Sequence, residues 1–462
     1  MWGDEAMKRA VAALIALALM SCGALAEERS FAVNRERLSD IYAWNGALLT
    51  EPGTYLSIYS VTSGKTPAEE ELFAAQSAQV ELPEGQDYAP PRYALLDAQG
   101  RQLTDFLYES IDYSPDGDAL IYSVGGLFGA MSRTLEELVP AAYDAVSPDG
   151  DGGFLLVSHE ESDTPQLLYM PAGGEPEPTG VRARFYSNTL TGGFISAYGE
   201  NGLYGFLTPQ GRWAVKPKFD WAQNFLNGYA IAKEKGKTGI IDTAGKWIVK
   251  PSYDDDRGFL QGGEVALLMR GTRAFLVRPS DGKQLFSLRM SKDGYVIGSD
   301  TRALFVVVDK KKATLYNTAG ERLFALDDRF SFDLWGDAPE NRVLATASSD
   351  CALYDLSGRE VLNAQGLYYL DGWDNRTLYV VSRFKTRLIQ YEGSDPYEEA
   401  IYGTYRCGVV DSDGNSVLPV LYRQLYMLIP GRYYVEDAQR WGVIDAEGKW
   451  IVSGSLYDQL MD

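Results

Sequence analysis

Apolar residues in this chain fall in short β-branched and aromatic runs. Gly, Asp or Asn interrupts them every few positions. The i, i+3, i+4 spacing of an amphipathic helix is nearly absent, so the pattern predicts strands joined by tight turns. The clearest stretch is TGIIDTAGKWIVKPSYD, Thr238 to Asp254. An apolar run leads into a D-x-x-G turn, and a second apolar run returns and ends at Pro. Gly supplies the positive φ that a tight hairpin needs, and the Asp carboxylate bonds the turn backbone. Pro just past a return strand removes no ladder bond from the sheet interior.

The block recurs. YGFLTPQGRWAVKPKFD spans Tyr204 to Asp220 and WGVIDAEGKWIVSGSLYD spans Trp441 to Asp458. The spacing from first Gly to final aromatic is the same for Gly205 to Phe219, Gly239 to Tyr253 and Gly408 to Tyr422. It holds again from Gly129 to Tyr143, where Leu135 replaces the hairpin Gly, and from Ala94 to Tyr108. Hairpin glycines Gly211, Gly245, Gly282, Gly320 and Gly358 step by about 37 residues, and stepping back from Gly211 reaches Gly174. A longer step to Gly414 marks 384–405 as an insertion or long loop. That phase gives about ten units over 93–462. A further strand precedes each hairpin, as in 119–124, 193–199, 228–234, 342–347 and 433–437.

Units of three or four strands cannot bury both faces alone, so neighbours must stack. The fold class is all-β, a repeat architecture of short antiparallel sheets. A β-propeller-like ring is preferred, with an open superhelical array of β-hairpins as the alternative. Segment 27–92 holds the strand-like runs 30–33, 55–60 and 72–77. A strand from this segment that completes the last sheet would close the ring. Thr66-Pro67-Ala68-Glu69 offers a competing reading, a capped helix over 66–78.

Composition narrows the setting. Residues 1–26 read as a signal peptide, with Lys8 and Arg9 before an apolar run too short to span a bilayer. Cleavage after Ala24-Leu25-Ala26 competes with a lipoprotein signal that ends before Cys22, the lipid attachment residue; the latter is preferred although Met20 departs from the usual lipobox. Either way the expected location is extracytoplasmic, lipid-anchored or secreted. The net charge of −21 argues against nucleic acid or an anionic membrane as partner, so a membrane is met only through the lipid. Cys351 and Cys407 read as two buried thiols rather than a bridge.

Chemistry is sparse. The single His159 cannot build a His-rich metal site, and no nucleophile elbow, P-loop or dinucleotide fingerprint accompanies it. No catalytic residue, cofactor or metal is assigned. The Asp-Gly clusters make Asp116, Asp118, Asp149, Asp151, Asp411 and Asp413 weak calcium candidates, and turn formation accounts for them without an ion. Trp213, Trp247 and Trp450 share one template position. With Trp441 they are candidate packing or aromatic binding positions, packing being preferred.

Trp441-Gly442, the matching Gly205 and Gly239, and the G-K-W-I-V-x-P tails resemble the WG-repeat family of bacterial proteins. The resemblance covers 198–258 and 400–462 best, and the middle units lack both the Gly and the Pro. It implies an exported β-repeat protein that binds other molecules and brings no catalytic residues. The expected function is a non-catalytic, monomeric binding or scaffold module at the cell envelope, with an unknown protein or glycan as partner. The alternatives are a carbohydrate- or cell-wall-binding module that uses its repeated Trp and Tyr, and a glycosidase-like enzyme with paired carboxylates.

Overall fold

The computed structural model describes residues 30–34, 39–52, 54–62, 65–78, 91–184, 192–334, 341–347, 351–373, 376–389, 397–401 and 404–455. The signal segment and Cys22 lie outside them. The described chain is all-β, a succession of short antiparallel sheets with two single-turn 3-10 helices. It divides into two compact units, Met1–Gly153 and Phe154–Asp462.

In the first unit, β1 (Phe31–Asn34), β2 (Ser39–Tyr42), β3 (Tyr55–Ser60), β4 (Phe73–Ser77) and β5 (Tyr93–Leu96) form one sheet in sequence order. Then β6 (Ser110–Ser114), β7 (Ala119–Val124), β8 (Leu127–Ser132) and β9 (Glu137–Pro148) pair in turn. The helix that competed with a strand over 66–78 is not formed, and the strand read at 72–77 is β4. Only Ala68–Glu70 makes a 3-10 turn, without a side-chain cap, and β4 follows. Burial decides this: Phe73 and Ala75 enter one core and Ala74 another, an alternation only a strand can provide.

The second unit opens with β10 (Phe154–Ser158), β11 (Gln166–Met170), β12 (Glu177–Arg184), β13 (Ile195–Gly199), β14 (Tyr204–Leu207) and β15 (Trp213–Phe219), each paired with the next. Six four-stranded sheets follow. The first is β16 (Trp221–Ala222), β17 (Tyr229–Glu234), β18 (Lys237–Asp242) and β19 (Trp247–Tyr253). The second is β20 (Asp255–Leu260), β21 (Val265–Arg270), β22 (Arg273–Val277) and β23 (Gln284–Arg289). The third is β24 (Tyr295–Gly298), β25 (Leu304–Asp309), β26 (Lys312–Asn317) and β27 (Arg322–Asp327). The fourth is β28 (Ser331–Asp333), β29 (Arg342–Thr346), β30 (Cys351–Asp355) and β31 (Glu360–Ala364). In the fifth, β32 (Gly366–Trp373) and β33 (Arg376–Arg383) are followed by β34 (Thr386–Ile389) and β35 (Tyr397–Ala400), which pair only with each other. The chain then returns to complete the sheet with β36 (Arg406–Asp411) and β37 (Ser416–Tyr422). The last sheet is β38 (Gln424–Ile429), β39 (Arg432–Glu436), β40 (Arg440–Asp445) and β41 (Trp450–Ser455).

The expected exchange of a strand between the chain ends is not what completes these sheets. The last sheet draws all four strands from 424–455, and the first draws all five from 31–96. β5, counted from sequence as the opening of a repeat unit, is the fifth strand of the N-terminal sheet.

Stacking follows from alternation. In β22, Phe275 and Val277 join the core shared with β16–β19, while Ala274 and Leu276 join the core shared with β24–β27. β25 repeats this: Phe305 and Val307 face back, Leu304 and Val306 face forward. So do β30, through Ala352 and Leu353, and β33, through Tyr379 and Val380. Burying one such side chain contributes about 1.5–3 kcal/mol, whereas an isolated hairpin is marginal in water. Contact on both faces is what holds each sheet.

The hairpin closing each unit is one device repeated. Asp97, Asp242, Asp355, Asp411 and Asp445 each accept, through Oδ1, the backbone N–H groups two and four residues on. The following Gly sits at positive φ, between 70° and 87° for the hairpin glycines. Leu135 takes the same conformation at φ 67°. At the unit extrapolated to Gly174, the left-handed residue is Gly173.

The second glycine of the motif has a different cause. Thr238 pairs with Tyr253 but Ile240 pairs with Val249, so the outer strand carries two more residues than its partner there. Pro251 sits in that bulge. A Cβ on Gly239 would stand 2.3 Å from the Val249 carbonyl oxygen and 3.0 Å from the Pro251 nitrogen. The same wide bulge lies opposite Gly129, Gly205 and Gly408, with Pro140, Pro217 and Pro419 in the outer strand. Where Pro is missing, at β22–β23, β26–β27 and β30–β31, pairing is regular there and Phe275, Thr314 and Ala352 occupy the glycine position. At these hairpins Gly and Pro go together, while Gly442 stands without Pro in regular pairing with Ser453: the bulge accommodates Pro, and only Gly leaves room for the bulge.

Gly239→Ala is expected to lower stability by about 2–3 kcal/mol through overpacking, and Thr314→Ala by less than about 1 kcal/mol. Urea midpoints of the two variants check this; equal midpoints would contradict the bulge account.

Candidate functional site

The template tryptophans are packed between strands. Trp213, Trp247 and Trp450 open β15, β19 and β41 and are half-buried. Each lays its ring edge over the glycine of the adjacent strand. A Cβ on Gly205, Gly239 or Gly442 would lie 2.9, 2.8 or 2.7 Å from the Cζ3 of its Trp. Trp247 also meets Phe219 of the preceding unit edge-on at 5.5 Å, and the Arg440 guanidinium covers Trp450 at 3.9 Å. Trp441 is 6% exposed and stacks beside Tyr434 at 6.3 Å. Trp441 and Trp450 share the last sheet, while Trp213 and Trp247 lie on the end strands of two other sheets.

The Asp-Gly carboxylates are engaged locally. Asp149 accepts the N–H groups of Asp151 and Gly153, as Asp411 does in its own turn. Asp118 binds the Arg133 guanidinium and the Tyr113 hydroxyl. Asp413 pairs with Arg342 at 2.6 Å, and Asp116 and Asp151 are exposed. Among the described residues, no group of three or more His, Cys, Asp and Glu is placed to hold a metal ion. His159 lies exposed just past β10. Cys351 and Cys407 are buried thiols in different cores. Burial pushes the Cys407 thiol up to about 11, where it stays protonated and inert.

An open groove of about 910 Å³ runs along the first strands of three successive sheets. Its walls carry Trp221 and Gln223 beside β16, Asp255, Asp256 and Arg257 on β20, and Lys233 at the end of β17. Phe225 and Phe259 form its buried floor, and exposed Asp300 stands at its rim. Asp255 bonds Arg257 at 2.8 Å and stands 3.7 Å from Lys233. Burial works to raise the Asp255 carboxyl, and the Arg257 guanidinium, the Asp256 backbone and Lys233 outweigh it, so it lies below the usual range. Asp256 is shifted upward by its burial, against a bond from the Gly258 N–H at 3.2 Å, with the Asp255 charge adding to the rise. The Lys233 ammonium stands 6.0 Å from the Trp221 ring centre. A second hollow of about 590 Å³ runs past Gln261, Glu264, Arg278 and Thr318. Its polar groups largely satisfy one another: Gln261 bonds both Glu264 and Thr318, and Arg278 pairs with Asp281.

Phe225 and Phe259 hold equivalent positions after Asp220 and Asp254, but Trp221, Gln223, Asp256 and Arg257 do not repeat between units, which is why periodicity does not find the groove. The available signal is an irregularity: Asp-Asp-Arg and Trp stand immediately after the template pairs Tyr253-Asp254 and Phe219-Asp220.

Residues 204–237 and 239–263 match the model of the WG containing repeat, and this segment carries most of the groove wall. No curated protein matches the sequence. Among solved structures, a eukaryotic initiation factor is similar at 11% identity and a TM-score of 0.39, covering 65% of this chain and 86% of its own. Kluyveromyces lactis Hsv2 follows at 10% identity and 0.29, covering 60% and 93%. BamB from Moraxella catarrhalis stands at 11% identity and 0.27, covering 71% and 94%.

The turn carboxylates set an acid limit. Asp118, Asp254, Asp281, Asp309, Asp355 and Asp437 all lie below the ordinary range. For Asp355 the Ser357 hydroxyl is the main cause, acting against burial and joined by Arg359. A carboxyl depressed in the fold stabilises fully above its unfolded value of about 3.9, and that stability is lost as pH falls through the folded value. Asp256, shifted upward, runs the opposite way and is outnumbered. The urea midpoint is expected to fall below about pH 4. Asp355→Asn should lower the midpoint at pH 7 and make the acid loss shallower; a midpoint unchanged from pH 7 to pH 3 contradicts this.

Proposed function

We propose that this chain of WG-containing repeats is a non-catalytic binding or scaffold module that acts outside the cytoplasm, at the cell envelope. The observation that carries the reading is a division of labour among residues. The repeated Asp, Gly, Pro and Trp are engaged in turns, bulges and packing, and the polar wall of the groove, Trp221, Gln223, Asp256 and Arg257, does not repeat between units. A rigid repeat scaffold that presents a variable polar groove suits recognition.

The glycosidase reading requires two carboxylates facing one bond. Asp255 and Asp256 have shifts of opposite sign, but they are adjacent on β20, on one wall of the groove, and Asp255 is held by Arg257 at 2.8 Å, so they do not flank a bond from two sides. This arrangement favours binding over hydrolysis. The packing of Trp213, Trp247 and Trp450 over glycine likewise disfavours an aromatic ladder made of the template positions. The acidity of the chain keeps nucleic acid out of the proposal, and the partner remains a protein or a glycan.

The proposed location rests on the sequence of residues 1–26 and on Cys22 as the lipid attachment residue. Fractionation of cells that express the full chain should place it in the envelope, with fatty-acid label incorporated in the native protein and lost in Cys22→Ala. Recovery in the cytoplasm would overturn the envelope reading; label retained by Cys22→Ala would overturn the anchor.

A further inference from the structure

We propose that the groove along β16, β20 and β24 is a binding site for a neutral saccharide, with Trp221 as its aromatic platform and Asp256 and Gln223 as hydrogen-bonding groups. The proposal rests on the binding-module reading and names the ligand class for it.

The first argument is charge. Arg257 and Lys233, the groove's cations, are both drawn to Asp255, at 2.8 and 3.7 Å. An anionic ligand would have to compete with Asp255 for them. A cationic ligand would find Asp300 only at the exposed rim, where water screens it, and Asp256 half-buried in surroundings that disfavour its charge. Neither kind of ion gains much from entering.

The second argument is unused hydrogen-bonding capacity. Among the described residues, Asp256 Oδ2 takes part in no hydrogen bond or ion pair, and Asp256 Oδ1 takes only the Gly258 N–H. The Gln223 side-chain amide is likewise unengaged there, its backbone alone bonding Ile231. A carboxyl and an amide are planar groups with adjacent lone pairs or donors, suited to the vicinal hydroxyls of a sugar ring.

The third argument is the apolar component. Trp221 is half-buried on the wall, above the floor of Phe225 and Phe259. An indole next to directional polar groups accepts a ligand with one C–H face and many hydroxyls. A neutral sugar combines those properties without charge. The groove is open rather than enclosed, and its volume of about 910 Å³ admits a short oligosaccharide chain.

The test uses the mature full-length chain and calorimetric titration with tetrasaccharides of glucose and of N-acetylglucosamine. A uronate and a glucosamine tetrasaccharide are the charged comparisons. A neutral tetrasaccharide should bind best. Trp221→Ala should weaken it about tenfold or more, and Asp256→Ala and Gln223→Ala several-fold, while His159→Ala leaves it unchanged. Because Trp221 also touches the core, the Gln223 and Asp256 variants carry the result if Trp221→Ala fails to fold. Preference for a charged tetrasaccharide, or binding unaltered by the groove variants, overturns the proposal. If no saccharide binds, a photo-crosslinking residue at position 257 separates the two readings. A specific protein crosslink retires the saccharide and leaves the binding module standing; no crosslink retires both.

Discussion

A four-stranded sheet with apolar residues on both faces has no stable existence alone, and the second unit of this chain is organised around that fact. Val277 and Leu276 are neighbours on one strand and belong to different cores. Each sheet is thus the shared wall of two compartments, and removing one exposes the faces of its neighbours as well. Stability in such an array comes from interfaces between units as much as from the units themselves. The requirement explains why even the most degenerate middle units keep the two-sided alternation of their second and third strands, after losing the Trp, Gly and Pro that define the motif elsewhere.

The motif residues have a narrower task. They shape the outer strand. Pro removes a donor, the bulge takes up the extra residues, Gly makes space, and Trp closes over Gly at the strand's start. The last sheet shows what happens when one member is absent. Gly454 stands where other units have Pro, the wide bulge disappears, Gly442 pairs in register with Ser453, and Trp441 fills the space above Gly454.

Much of this was legible in the sequence, for physical reasons. Turn chemistry is local, so Asp-x-x-Gly announces its hairpin, and Leu135 could be assigned to the glycine position by spacing alone. Strand periodicity is likewise local, and YLSIYS is β3 to the residue. What was not legible depends on contacts distant in sequence. Thr66-Pro67-Ala68-Glu69 has the composition of a helix start, and burial of Phe73 and Ala75 overrides it. That each terminal sheet supplies its own last strand follows from pairing, not from pattern. The groove was missed because repeat analysis averages away residues that differ between units. Trp221 and Asp256 become visible only when the first strands of successive sheets are brought side by side.

The outer strands also bear on how the protein meets other copies of itself. β15, β19 and β37 end their sheets with a proline and a wide bulge, which spoil the ladder that an incoming strand would need. β23, β27 and β31 end theirs without proline or the wide bulge and with half-buried apolar residues such as Leu285, Phe286, Leu323 and Phe324. The sheets in the middle of the array therefore lack this guard against intermolecular strand addition. In a partly unfolded chain, those three edges are where aggregation would begin.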